Sequence, residues 1–98
     1  MLITFTSESF EPYLNRVFRI NHGSGTLEVR LTECQRHPGA AAKSGPREPF
    51  SLIFLGPRQP ILPQRMYAFD FGELGSLEIF IVPIGSDNLG TKYEAVFG

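Results

Sequence analysis

The clearest potential for chemistry in this sequence is a thiol and an imidazole three residues apart. Cys34 and His37 form a Cys-x-x-His pair, and Glu33 comes directly before the cysteine. Such a pair supplies two of the four ligands of a structural zinc site, or a nucleophile with a neighbouring base. The chain has one cysteine, and a carboxylate next to a thiol raises its pKa and makes it less reactive. We therefore predict no catalytic residue, no metal and no other cofactor.

Other catalytic patterns are equally incomplete. Gly23-Ser24-Gly25 is too short for a phosphate-binding loop and lacks the lysine that should follow, so it predicts a hairpin turn. The serines lie outside any nucleophile-elbow pattern. An enzyme or small-molecule binder would have to use the mouth of a barrel near Cys34 and His37, and this is the alternative to the function favoured below.

A proline-rich stretch at residues 56–65 is the best candidate for binding. Prolines at positions 57, 60 and 63 exclude it from the interior of a sheet and predict an extended surface loop of low conformational entropy. Two interpretations stay open: a loop that contacts another protein, or a connector across one barrel end with Ile61 and Leu62 turned inward. The predicted contact residues are Arg58, Gln59, Ile61, Leu62, Gln64 and Arg65.

Charge is divided unevenly along the chain, although the formal net charge is −1. Residues 36–65 carry five basic side chains against Glu48, and residues 66–98 carry five acidic side chains against Lys92. The two regions either meet within the fold or form a surface of two signs suited to a partner or to self-association. The net charge argues against nucleic acid, for which the candidate residues would be Arg36, Lys43, Arg47, Arg58 and Arg65.

The 98 residues suit one domain, 1–98, and the lone cysteine suits a reducing compartment. No stretch resembles a signal peptide or a membrane span. We expect a cytoplasmic protein that does not bind a membrane. Where it has a protein partner, we expect it to be part of a larger assembly. Whether a small ligand binds is left open.

The pattern of apolar residues predicts an all-β domain. Alternating side chains separated by Gly- and Pro-containing turns indicate about six antiparallel strands that close into a small barrel or fold as a sandwich. One short helix should precede them, with Ser7 as its N-cap and an end before Pro12. A flexible loop is expected at about 36–47. The predicted strands cover residues 16–21, 26–34, 50–55, 66–71, 76–84 and 92–97.

Several motifs together resemble an uncharacterised family of short bacterial proteins. They are Phe10-Glu11-Pro12 with Phe18, the runs 49–54 (PFSLIF) and 62–64 (LPQ) with Tyr67, and the runs 77–85 (LEIFIVPIG) and 93–97 (YEAVF). The resemblance spans nearly the whole chain. It implies a gene neighbourhood with phage tail-collar-like proteins and a role in assembling tail-like particles. It carries no activity, cofactor or binding residue. We therefore expect a non-enzymatic protein-interaction or assembly module.

Overall fold

A computed structural model describes residues 6–37, 49–71 and 75–97. The chain begins with a one-turn helix that continues into a 3₁₀ turn at Glu11–Tyr13 and is followed by six strands. The elements are α1 (Ser7–Phe10), β1 (Val17–Asn21), β2 (Thr26–Arg36), β3 (Phe50–Gly56), β4 (Arg65–Asp70), β5 (Ser76–Asp87) and β6 (Gly90–Phe97).

The strands form a closed antiparallel barrel in the order β1-β2-β3-β6-β5-β4. The predicted all-β fold is confirmed, and it is a barrel rather than a sandwich. β2 and β5 are long enough to serve two neighbours each, pairing with one through their first half and with another through their second half. A bulge interrupts each of them, at Leu31/Glu33 and at Pro83/Gly85, where the strand changes direction. Closure leaves the sheet without a long exposed edge.

Aromatic side chains fill the barrel. The alternating strands turn Phe18, Phe54 and Phe69 inward, and Phe54 and Phe69 approach to 4.9 Å between ring centroids. Phe18 also packs against Phe71, with 4.4 Å between the rings. These side chains belong to one continuous apolar cluster that includes residues from all six strands. Side chains therefore fill the interior of the barrel, which forms the hydrophobic core of the domain and not a ligand cavity.

The helix closes one end of the barrel. Its Phe10 is fully buried and contacts the rings of Phe50, Phe71 and Phe97. The N-cap is Thr6, whose amide donates to the Ser9 hydroxyl at 3.0 Å, so the predicted cap at Ser7 is wrong by one residue. The helix starts after Thr6 because the Ser9 hydroxyl, three residues further along the chain, accepts a hydrogen bond from the Thr6 amide.

All six predicted strands are present, and most of their ends agree with the structure to within one residue. Three ends differ by two or three residues: the ends of β2 and β5, and the start of β6, which is at Gly90 and not at Lys92. β2 runs to Arg36, the first residue of the predicted flexible loop, and residues 38–47 of that loop lie outside the described residues. β5 continues through Pro83 to Asp87, although the sequence suggested a strand end or an edge at that proline. Pro83 lies where β5 has left β4 and pairs only with β6, so its missing N–H removes no bond from a ladder on the other side.

Candidate functional site

The three groups that could have formed a barrel-mouth site do not converge. Cys34 lies on the inner side of β2 and its thiol donates to the Ser7 carbonyl at 3.4 Å. Glu33 lies on the opposite face and accepts a hydrogen bond from Gln35 at 3.0 Å. The His37 ring pairs with the Ser51 hydroxyl at 2.8 Å. The alternation of a strand separates Cys34 from both neighbours, which the Cys-x-x-His spacing alone could not reveal.

The environment of Cys34 also works against nucleophilic chemistry. Burial raises the pKa of its thiol, and the charge of Glu11 raises it further. A raised pKa keeps the thiol protonated at neutral pH, and the thiolate is the reactive form. Within the described ranges no group of three or more His, Cys, Asp or Glu side chains could hold a metal ion.

The proline-rich loop crosses the end of the barrel opposite the helix. Three hydrogen bonds tie it down: the Leu62 amide donates to the Tyr93 hydroxyl at 2.9 Å, the Tyr67 hydroxyl donates to the Pro63 carbonyl at 2.8 Å, and the Thr91 hydroxyl donates to the Arg58 carbonyl at 3.2 Å. The peptide bond before Pro60 is cis. Both tyrosines extend from the core, so the loop acts as the cover of the barrel.

The residues of this loop divide between core and surface. Leu62 is 3% exposed and belongs to the core cluster, whereas Ile61 is 53% exposed. The inward turn suggested for both residues therefore holds for Leu62 alone. The other predicted contact residues, which are Arg58, Gln59, Gln64 and Arg65, are all exposed. Gln64 directly precedes β4, which begins at Arg65.

An exposed apolar row lies where the loop enters β4, and the sequence analysis missed it. Met66 and Phe80 face each other across the β4–β5 ladder on the outside of the barrel, 53% and 48% exposed. Val82 follows on the same face of β5 and is half-buried. We call Met66, Phe80 and Val82 the outer apolar row. β5 turns Leu77, Ile79 and Ile81 toward the core and leaves Phe80 and Val82 on its other face.

The register explains why this row is distinctive. The next outward pairs of the same ladder are Ala68↔Glu78 and Asp70↔Ser76, which are small or polar. Scattered apolar side chains on a surface are ordinary, but a directly opposed pair joined to a third is a contiguous patch. A signal for it was present in the sequence, since residues 79–82 (IFIV) are apolar at both alternating phases and both phases cannot face one core.

Polar grooves flank the barrel elsewhere. An open groove of about 520 Å³ lies over β1, β2 and β4, and its lining includes Arg19, Glu28 and Asp70. Arg19 and Glu28 approach to 3.7 Å there, and both side chains are exposed. A shallow solvated ion pair of this kind contributes little energy. The groove holds no group whose environment would prepare it for catalysis.

The basic residues considered for nucleic acid are only partly within the described ranges. Arg36 ends β2, Arg58 lies in the loop and Arg65 begins β4, while Lys43 and Arg47 fall outside the described residues. The described residues contain no helix that is long and apolar enough to cross a membrane.

Comparison with known proteins adds the family and nothing more specific. Neither a curated protein nor a solved structure matches the chain significantly. A family model described as a domain of unknown function, DUF6916, matches residues 5–97, which is nearly the whole chain. The barrel with its helix and its loop cover is thus the structure of a DUF6916 domain, and this chain belongs to that family.

Proposed function

We propose that this protein is a non-enzymatic interaction module that binds another protein through the outer apolar row. The observation that carries the proposal is the opposed pair Met66 and Phe80, which exposes two large apolar side chains on a ladder whose other outward pairs are small or polar. Burying such side chains against a partner is favourable by about 25 cal/mol for each Å² of apolar surface removed from water.

The neighbouring loop supplies the polar part of such a surface. Arg58, Gln59 and Gln64 are exposed in the loop that carries Ile61 and leads into β4 just before Met66. Interfaces commonly surround an apolar centre with a polar rim that contains arginine. The loop is also held by three hydrogen bonds, so little conformational entropy is lost when a partner binds.

The wider setting belongs to the proposal as well. We place the protein in the bacterial cytoplasm and in the assembly of phage-tail-like particles, on the basis of the sequence resemblance described above. No cofactor enters this function. Tail-like proteins among the bound partners would support this setting.

The test is affinity capture from the native host with three forms of the tagged protein. Met66→Ser with Phe80→Ser removes the row, and Val17→Ser is the matched control because Val17 is 51% exposed on β1. We expect a stoichiometric partner with the unchanged protein and with the control, and its loss with the double variant. A partner retained by all three forms would exclude the row as the contact, and recovery of the protein alone would exclude the function.

A further inference from the structure

Among the described residues, the ladder between β5 and β6 ends beside the outer apolar row. β5 pairs with β4 as far as Ile81 and with β6 only from Val82 onward, whereas β6 continues beside β3 as far as Phe97. The β5–β6 ladder therefore stops at Val82↔Glu94. Past that pair, Phe80 on β5 and Val96 on β6 flank a stretch in which no two described residues of these strands are registered, and we call this stretch the open seam.

Main-chain groups point into the open seam. The Phe71 amide donates to the Gly75 carbonyl at 3.0 Å, which makes odd-numbered residues the hydrogen-bonded positions of the β4–β5 ladder. The N–H and C=O of Phe80 therefore face away from β4. The two-residue turn between Asp87 and Gly90 likewise directs the even-numbered residues of β6, including Val96, toward β5. Each side offers a donor and an acceptor to an added strand.

The side chains at the open seam are apolar and acidic. Val96 is 67% exposed and Phe80 is 48% exposed, and each follows a glutamate on the same face of its strand, Glu94 and Glu78. Neither glutamate forms an ion pair with another described residue.

The nearest basic residues on these strands are Arg65 and Lys92. Arg65 shares the phase of buried Tyr67, so it lies on the other side of β4 from Met66. Lys92 shares the face of Glu94 but lies on the far side of that glutamate from Val96. The seam therefore has an acidic rim.

We infer that the open seam binds an extended segment of the partner protein in which apolar and basic residues alternate. The segment adds as a strand: its main chain pairs with Phe80 or Val96, its apolar side chains cover the outer apolar row, and its Lys or Arg side chains meet Glu78 and Glu94. Strand addition to an incomplete sheet combines main-chain affinity with side-chain specificity in this way. The inference rests on the proposed function, since it specifies the partner of the same surface.

The test uses synthetic peptides of about eight residues, the length of an ordinary strand. One alternates lysine with valine, the second alternates glutamate with valine, and the third is the basic peptide with N-methylated valines. We expect the basic peptide to shift the amide resonances of Phe80 and Val96 and to slow their hydrogen exchange. The acidic and N-methylated peptides should leave both unchanged. Absence of binding by the basic peptide, shifts confined to another surface, or equal binding of the N-methylated peptide would overturn the inference.

A charge reversal makes the test independent of loss of folding. Glu78→Lys with Glu94→Lys changes two side chains outside the core, and the variant should prefer the acidic peptide. An unchanged preference would overturn the inference. A captured partner that depends on Phe80 but is not displaced by excess basic peptide would leave the proposed function standing and remove this inference. A dimer in sedimentation that Phe80→Ser dissociates would replace the peptide segment with a second copy of the chain.

Discussion

Tyr93 connects the centre of the core with the loop that covers the barrel. Its ring is fully buried, and its hydroxyl accepts the Leu62 amide at 2.9 Å in a buried bond. Tyr93→Phe leaves that amide without a partner, so we expect the free energy of unfolding to fall by about 1–3 kcal/mol. Tyr67→Phe is the control: its hydroxyl bonds a carbonyl that is only partly buried, so the loss should be smaller. Urea denaturation of both variants measures the difference, and equal losses would contradict the role assigned to Tyr93.

Gly90 holds β6 close to β3 at the start of the strand. Its φ is +142°, and a Cβ there would overlap the Gly56 carbonyl oxygen. Gly90→Ala should therefore cost about 2–4 kcal/mol, from backbone strain and from the displacement of β3. Gly23→Ala is the matched control, because φ is +93° with open space around the Cβ, and strain alone should cost about 1 kcal/mol. Thermal unfolding compares them, and a Gly90→Ala variant no less stable than the control would exclude the overlap.

The reactivity of the Cys34 thiol reports on its burial and on the charge of Glu11. Burial and, second, the Glu11 carboxylate raise its pKa above the ordinary value of 9.0. Folding therefore favours the protonated thiol, and the stability this contributes is lost as the pH rises past 9.0 and through the folded-state pKa. We expect alkylation by iodoacetamide at about pH 8.5 to be slower in the folded protein than in urea. Glu11→Gln should speed it modestly, and rates as fast as those of the unfolded chain would contradict the shift.

At the scale of elements, the weakest junction of the barrel lies between β1 and β4. These strands are registered only at Ile20↔Phe69 and Asn21↔Ala68, whereas β3 and β6 pair from Phe50 to Gly56. Short ladders open by local fluctuation at lower free energy than long ones. The Asn21 and Ala68 amides should therefore exchange with solvent faster than those of Phe54 and Ala95. Native-state hydrogen exchange measures this, and uniform rates would show that the barrel opens only as a whole.

The same scale explains which elements the sequence predicts and which it does not. Alternation located β2 and β6 because one face of each strand is buried. Pro83 was an ambiguous signal. A proline is not expected inside a central strand, but it is tolerated where the strand has no hydrogen-bonded neighbour on the side of the missing N–H. Whether β4 still pairs with β5 at Pro83 depends on where β4 begins and on the bulge beside Gly85, and both are features of the tertiary structure. Local sequence propensity does not predict where β4 begins or where the bulge lies.

At the scale of the whole molecule, the fold class was predictable and the candidate site was not. Turn residues and apolar phases predict six strands and their inward faces, but they left barrel and sandwich open until the strand order showed closure. The outer apolar row depends on which residue of β4 lies opposite Phe80, a matter of register that the sequence leaves undetermined. Conversely, proximity in sequence placed Cys34 beside His37, but alternation put them on opposite faces. Sequence spacing alone therefore does not predict a site, because the face on which each side chain lies must also be known.

The distribution of stability over the molecule tests whether Phe80 serves the fold or a partner. Phe10 is fully buried against three aromatic rings, so Phe10→Ala should lower the free energy of unfolding by about 3–5 kcal/mol, a large part of the 5–15 kcal/mol typical of a domain. Phe80→Ser removes an equally large ring that is 48% exposed and lies opposite Met66 on the outside of the barrel, so it should cost less than about 1 kcal/mol. Urea denaturation of the two variants measures this contrast. A cost for Phe80→Ser close to that of Phe10→Ala would assign the ring to the fold, whereas a small cost combined with loss of the captured partner would assign it to binding.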